Sequence, residues 1–468
     1  MRYISTRGAA PVLDFEGALL TGLARDGGLY LPESWPQFSQ DEIRAMRALS
    51  YQELAVRIIT PYVDGAMSEA ELSDLVTDSY KDFGHVAVAP LKQLDSSLWF
   101  MELFHGPTLA FKDYPLQFLG RAFDHVLERK GRRVTIVGAT SGDTGSAAIE
   151  ACRDRDAIDI FMLYPNGRVS EVQRRQMTTV DAPNVHTLAI EGTFDDCQDL
   201  VKAMFNDTPF RDEMDLSAVN SINWARIMSQ IVYYFHSALS LGAPDVPVRF
   251  SVPSGNFGNV FAAYAARQMG LPVDQFIIGT NVNDILTRFF DSGVLETATV
   301  RPTISPSMDI QISSNFERLL FDLYDRDGAA LNDAMMQFRA EGRLAVGDNR
   351  WKQVSALFAA RTIDDAQTRQ EIDRVYKETG EIIDPHSAIG VAAARDARRD
   401  AALPTIALGA AHPAKFPAAV EEACGAFAPL PNRLADLYDR AEHFTVLPND
   451  LAQVQAFVRG HAASGVSA

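Results

Sequence analysis

Six short runs rich in β-branched and aromatic residues, RRVTIVGAT, DIFMLYP, NVHTLAI, VRFSVPSG, QFIIGTN and TIALGAA, are separated by longer stretches whose apolar residues recur at helical spacing. This alternation, from about Leu98 onward, constrains the chain more than any other feature. Strand, helix and strand in that rhythm pack as βαβ units around a parallel sheet, so an α/β fold is expected. Three runs end in small or polar residues and pass directly into a helical pattern: TIVGATSGDTGSAAIEAC, RFSVPSGNFGNVFAAYAARQMG and TIALGAAHPAKFPAAVEEAC. Open parallel sheets bind ligands outside the carboxyl ends of their strands, which makes these turns the expected site. Glycine and an N-cap are ordinary in any one βα turn, so the argument rests on the chemistry of the three together.

Upstream, residues 39–80 place apolar side chains at helical intervals, with Ser39 and Ser68 as expected N-caps. The expected organisation is a mainly helical N-terminal domain over 1–95, an α/β body of two subdomains over 96–425, and a C-terminal extension over 426–468. The small polar tail 462–468 is expected to fray. The formal net charge of -18 and the lack of a basic run argue against nucleic acid and anionic membranes as partners. An anionic small molecule would then need a few cations gathered in one pocket, which makes individual Lys and Arg positions informative. The cysteines, Cys152, Cys197 and Cys424, show no CxxC spacing, and no metal site is expected. Without an apolar signal core or a long uncharged apolar run, the chain reads as soluble and cytoplasmic, with monomer and homodimer both open.

Gly255, Asn256, Phe257, Gly258 and Asn259 follow a strand and open a helix. The glycines let backbone N–H groups turn inward, and the helix N-terminus adds partial positive charge, which together make a phosphate cradle. A nucleotide P-loop needs Lys and Ser or Thr after its last glycine, where Asn259 and Val260 stand, and the dinucleotide fingerprint is absent. The cradle suits one compact phosphate monoester. Thr140, Ser141, Gly142, Asp143, Thr144 and Gly145 gather hydroxyls and N–H groups in a turn suited to a carboxylate, with Asp143 expected to point back into the backbone. In HGPTLAFKDYP, Asp113 and Pro115 mark a helix start and leave Lys112 at the end of the preceding loop. Burial beside Leu109, Ala110 and Phe111, near a positive helix end, would favour the neutral amine that a Schiff-base nucleophile requires. A lysine in such a place also serves as an apolar stem reaching for water. Lysine, monophosphate cradle and carboxylate turn together match pyridoxal phosphate with an amino acid.

At these residues the chain resembles the threonine synthases, within the fold type II (tryptophan synthase β-like) family of pyridoxal-phosphate enzymes. The resemblance runs through YISTRG, DGGLYLPE, HGPTLAFKD, GATSGDTGSAA, NSINWARI, SVPSGNFGN, SPSMDIQISSNFER, DPHSAIG and AAHPAKF, nearly the whole chain, and its long N-terminal extension is similar to the bacterial and fungal branch. It implies two parallel-sheet domains with a small helical N-terminal domain. It implies Lys112 as the cofactor-bearing lysine, Gly255 to Asn259 at the cofactor phosphate, and Ser141 and Thr144, with Thr140, Asp143 and neighbouring backbone, at the substrate carboxylate. The family carries a Thr at the position of Ala410 to meet the pyridine nitrogen, and the Ala410 side chain cannot make that contact. The implied reaction converts O-phospho-L-homoserine and water to L-threonine and phosphate. Arg226, with Ser221 and Asn223, is the expected second anion site for the leaving phosphate; a structural ion pair is the competing role for Arg226. His105 and His386 lie in matched blocks and also fit as satisfied loop histidines. The rival readings are a serine or threonine dehydratase-like lyase and a non-catalytic cofactor- or phosphate-binding protein.

Overall fold

The computed structural model describes residues 1–217 and 221–462. The chain forms two compact units, Met1–His105 with Ser221–Ala428, and Gly106–Asn220 with Pro429–Ala468. Of the tail expected to fray, all but Ala462 lies outside the described residues.

The first unit is built on a six-stranded sheet. Strands Phe358–Thr362, Val273–Thr280, Val248–Pro253, Thr405–Gly409 and Leu98–Glu102 pair in parallel in that order, and Leu91–Gln93 joins the last of them antiparallel. Leu98, Phe100, Ala407, Ile372, Val375, Ala388 and Val391 make one of its buried clusters, with helices Asp365–Thr379 and Pro385–Ala397 covering the strands. In the N-terminal segment, Ser39 and Ser68 start helices Gln40–Ala45 and Glu69–Tyr80 as expected, each in a reciprocal box with a glutamate three residues on. The helix between them, Tyr51–Val63, has the same device in Ser50 and Glu53. Each cap contributes about 1 kcal/mol, and the apolar faces are held by packing, with Tyr62 5.6 Å from Trp224 between ring centroids.

The second unit holds a five-stranded, wholly parallel sheet in the order Thr445–Pro448, Val185–Glu191, Ile158–Pro165, Val134–Ala139 and Leu216–Ser217. Every residue of Ile158–Pro165 is buried, as a central strand covered on both faces requires. The C-terminal stretch supplies the edge strand and helix Leu451–His461, whose Val454 and Val458 enter the core with Phe161, Leu188 and Leu200. All six strands expected from the sequence are present across the two sheets. Among the described residues no helix is long and apolar enough to cross a membrane.

Candidate active site

In the second unit, Lys112 caps helix Asp113–Lys130, as the Asp-x-Pro spacing predicted. The loop before it is fixed by its own polar groups. Asp113 accepts from the Thr108 N–H at 2.9 Å and the Thr108 hydroxyl at 2.6 Å. Gln176 Nε2 donates to the Thr108 carbonyl at 3.0 Å, and Arg433 donates to the carbonyl of Gly106. Leu109 adopts the left-handed region at φ 64°, a strain held in place by these anchors. Lys112 itself is 7% exposed, and its Nζ donates to Asp143 Oδ2 at 3.2 Å. Burial and the helix end, both expected to favour a neutral amine, are present; Asp143 opposes them with a carboxylate.

That pairing corrects the expectation for Asp143. Its side chain does not turn back to the backbone: Oδ2 faces Lys112 and Oδ1 accepts from Gln173 Nε2 at 2.8 Å. The helix cap is taken instead by Gly142, and the helix runs Asp143–Cys152. Thr140 organises the turn, its Oγ1 accepting from the N–H groups of Gly142 and Gly145 at 3.0 and 2.8 Å. A Cβ at Gly145 would meet Thr140 Cγ2 at 2.3 Å, so only glycine fits. Ser141 is exposed and Thr144 partly so. Gln173 and Gln176 had no signal in the sequence beyond their spacing on one helix.

In the first unit, strand Val248–Pro253 ends at Ser254, whose hydroxyl accepts from the Phe257 N–H at 3.1 Å. Phe257 turns the chain at φ 62° and caps helix Gly258–Gln268. A Cβ at Gly255 would come within 3.0 Å of Ile310, and one at Gly258 within 3.2 Å of Asn315 Nδ2, so the turn is packed on its outer side. The Phe257 ring is buried among Phe290, Phe316 and Phe358. It anchors the turn. Asn259 Oδ1 accepts from the hydroxyls of Tyr233 and Tyr234.

Helix Trp224–Ser240 is capped by Asn223. Asn223 is spent on structure: Oδ1 accepts from the Ala225 N–H at 3.0 Å and Nδ2 donates to the Leu19 carbonyl at 2.8 Å. The Ser221 carbonyl accepts from Asn315 Nδ2 at 3.1 Å. Arg226 differs from both. It is 5% exposed, its Nη1 meets no acceptor among the described residues, and burial pulls its pKa to about 10. Of its two expected roles, the structural ion pair finds no carboxylate among the described residues. One turn on, Gln230 Oε1 is likewise buried without a donor, and Tyr233, two turns on along the same face, is the residue that meets Asn259.

At the third turn, the Ala410 N–H donates to Ser387 Oγ at 2.8 Å, and the Ser387 hydroxyl donates to Asp384. Both sides of that hydroxyl are used, so it does not replace the missing threonine. His386 is a structural histidine, donating from Nδ1 to Asp384 at 2.8 Å and accepting the Ser307 N–H on Nε2 at 3.3 Å. His105 sits 2.7 Å from Glu102. No group of metal-ligating side chains exists among the described residues.

Comparison with known proteins agrees with this anatomy. Family models described as "Threonine synthase N terminus", "Pyridoxal-phosphate dependent enzyme" and "Threonine synthase, C-terminal" match residues 2–80, 84–341 and 387–458. Threonine synthase of Pseudomonas aeruginosa is 57% identical over 99% of both chains, and that of Saccharomyces cerevisiae 42% identical over 91% of this chain and 89% of its own. The crystal structure titled as pyridoxal-phosphate-bound threonine synthase from Brucella melitensis superposes with a TM-score of 0.97 at 54% identity, covering 98% of this chain and 99% of that one. The Escherichia coli threonine synthase structure does so at 0.83 and 32%, covering 99% and 100%. Fold and site thus define a pyridoxal-phosphate-dependent enzyme of fold type II. Within that class the chain belongs to the threonine synthase family.

Proposed function

We propose that this enzyme converts O-phospho-L-homoserine and water to L-threonine and phosphate. Full-length similarity to threonine synthases supports the reaction class, and the observation that carries the substrate is Arg226, a buried guanidinium whose Nη1 meets no acceptor among the described residues. A dehydratase acting on serine or threonine has no use for a second anion site.

Pyridoxal phosphate, held covalently through Lys112, supplies the electron sink that stabilises negative charge developing at the substrate α-carbon. The Gly255–Asn259 turn would hold its phosphate at the start of a helix through the backbone N–H groups of Gly255, Asn256, Gly258 and Asn259, with Phe257 anchoring the turn through the bond from its N–H to Ser254. Ala410 offers its ring no hydroxyl. Ser141 and Thr144, with the N–H groups of the Asp143–Cys152 helix start, receive the α-carboxylate. Thr140 shapes that turn. Lys112 Nζ takes the α-proton as general base, and Asp143, 3.2 Å away, orients the amine and stabilises it while it carries that proton. Arg226 binds the phosphate ester and neutralises charge as phosphate departs from the γ-carbon, in a site dry enough for the interaction to be strong. Ser221 and Asn223 hold the backbone that presents Arg226. A β-proton is lost as phosphate departs; water supplies hydroxyl to the β-carbon, the γ- and α-carbons each regain a proton, and the remaining proton leaves with hydrogen phosphate. The cytoplasm is the compartment we assign, consistent with free thiols at Cys152, Cys197 and Cys424.

Phosphate release from O-phospho-L-homoserine tests the assignment directly. The wild type should release phosphate and form threonine, and Lys112→Ala should not. Rapid deamination of serine, with phosphate release no faster than in Lys112→Ala, would select the dehydratase instead.

A further inference from the structure

Arg318 is wholly buried in the first unit, on helix Phe316–Leu323, and among the described residues every acceptor its guanidinium meets is neutral. Nε and Nη2 donate to the Tyr30 carbonyl at 3.1 and 2.8 Å, Nη1 donates to Asn315 Oδ1, and Nη2 also donates to the Ile222 carbonyl. The neighbouring carboxylate, Glu317, is committed elsewhere: it takes Arg7 Nε and Nη2 at 3.1 and 3.0 Å and the Thr6 hydroxyl at 2.6 Å. Burial accordingly pulls the Arg318 pKa to about 9. A cation without a paired anion is costly to bury, and such a charge is retained where its placement has a use.

The acceptors show what that use is. Asn315 donates its N–H to the Asn256 carbonyl at 3.2 Å, its Nδ2 donates to the Ser221 carbonyl at 3.1 Å, and the same Nδ2 stands 3.2 Å from where a Cβ on Gly258 would lie. Ile222 immediately precedes Asn223, the cap of the helix that carries Arg226. One planar fork therefore grips, through Asn315, the back of the Gly255–Asn259 turn and, through Ile222, the start of the Arg226 helix. A lysine carries its three donors on a single nitrogen and lacks the rigid fork whose separate nitrogens reach both partners.

We propose that Arg318 is the positioning residue that sets the Gly255–Asn259 turn and the start of the Arg226 helix relative to each other, its unbalanced charge favouring phosphate-bearing ligands in the turn. The inference rests on the reading of that turn as the cofactor-phosphate cradle. It is tested by titrating cofactor-stripped protein with pyridoxal phosphate and with pyridoxal, which lacks the phosphate, and following the absorbance of each bound aldehyde. The ratio of the two dissociation constants isolates the phosphate contribution, because loss of fold or of the lysine bond affects both ligands alike. Arg318→Met is expected to shrink the wild-type ratio by about tenfold or more, the scale of a charge-assisted hydrogen bond. Arg318→Lys and Asn315→Ala should fall between them, and these two milder variants carry the test if Arg318→Met does not fold. Ratios unchanged in the folded variants, beside a wild type that prefers the phosphate ester, would overturn the role of Arg318 alone. A wild type that binds both aldehydes equally would overturn the cradle itself and with it this inference.

Discussion

Arg226→Met removes a buried charge while keeping most of the side-chain volume, and it separates stability from turnover. Burial lowers the Arg226 pKa from its ordinary value to about 10; at about 1.4 kcal/mol per tenfold, the ligand-free fold bears about 3 kcal/mol for holding that charge. Because the folded value lies below the unfolded one, the cost is present in full below about pH 10 and recedes as pH rises from there towards the ordinary arginine value. Urea unfolding of ligand-free protein at neutral pH should therefore show the methionine variant more stable than the wild type, by up to about 3 kcal/mol. Added inorganic phosphate should narrow the gap by stabilising only the wild type, by about 2.7 kcal/mol at a hundredfold excess over its dissociation constant. Turnover should move the other way. Truncating a buried charged partner of a phosphate costs about 2–5 kcal/mol, or roughly thirtyfold to several thousandfold in kcat/KM for O-phospho-L-homoserine. A variant less stable than the wild type, or one with unchanged kcat/KM, would refute the reasoning.

Lys112→Ala should abolish threonine formation, and borohydride reduction followed by peptide mapping should label Lys112 in the wild type and nothing in the variant. Gly145→Ala drives a methyl into Thr140 and should cost about 2–4 kcal/mol in urea unfolding, from overpacking and the displaced Thr140 hydrogen bonds. Asn223→Ala loses both a helix cap and the bond to Leu19, which should lower stability by about 2 kcal/mol in the same assay. His236 is held neutral by burial, its pKa lowered from 6.5 to about 4. The unfolded chain takes up that proton first as pH falls through this window, so stability should drop by about 1.4 kcal/mol per pH unit there, and His236→Phe should flatten the slope.

Much of this protein was legible before any coordinates. Strand runs, helix caps at Ser39 and Ser68, the cap position of Lys112 and the Gly255–Asn259 turn are local features. Their physics, namely side-chain period, φ preference and capping chemistry, acts over a few residues and leaves its pattern in the string. The resemblance blocks carried the reaction class in the same way. Tertiary structure decided what those local pieces meet. Asp143 faces Lys112 and Gln173 because an adjacent helix supplies the amide, whereas sequence reasoning could weigh only repulsion from a substrate and turned the carboxylate the wrong way. Asn223, read as a possible phosphate contact, is consumed by Ala225 and by Leu19, a residue 204 positions away. Arg226 looked as much like an ion-pair partner as an anion binder until the fold placed it, buried, where no carboxylate of the described residues reaches it. Arg318 carried no signal beyond its block, since its partners come from Tyr30, Ile222 and Asn315. Local pattern states what a segment can become; whether a buried charge is answered depends on which distant segments close around it.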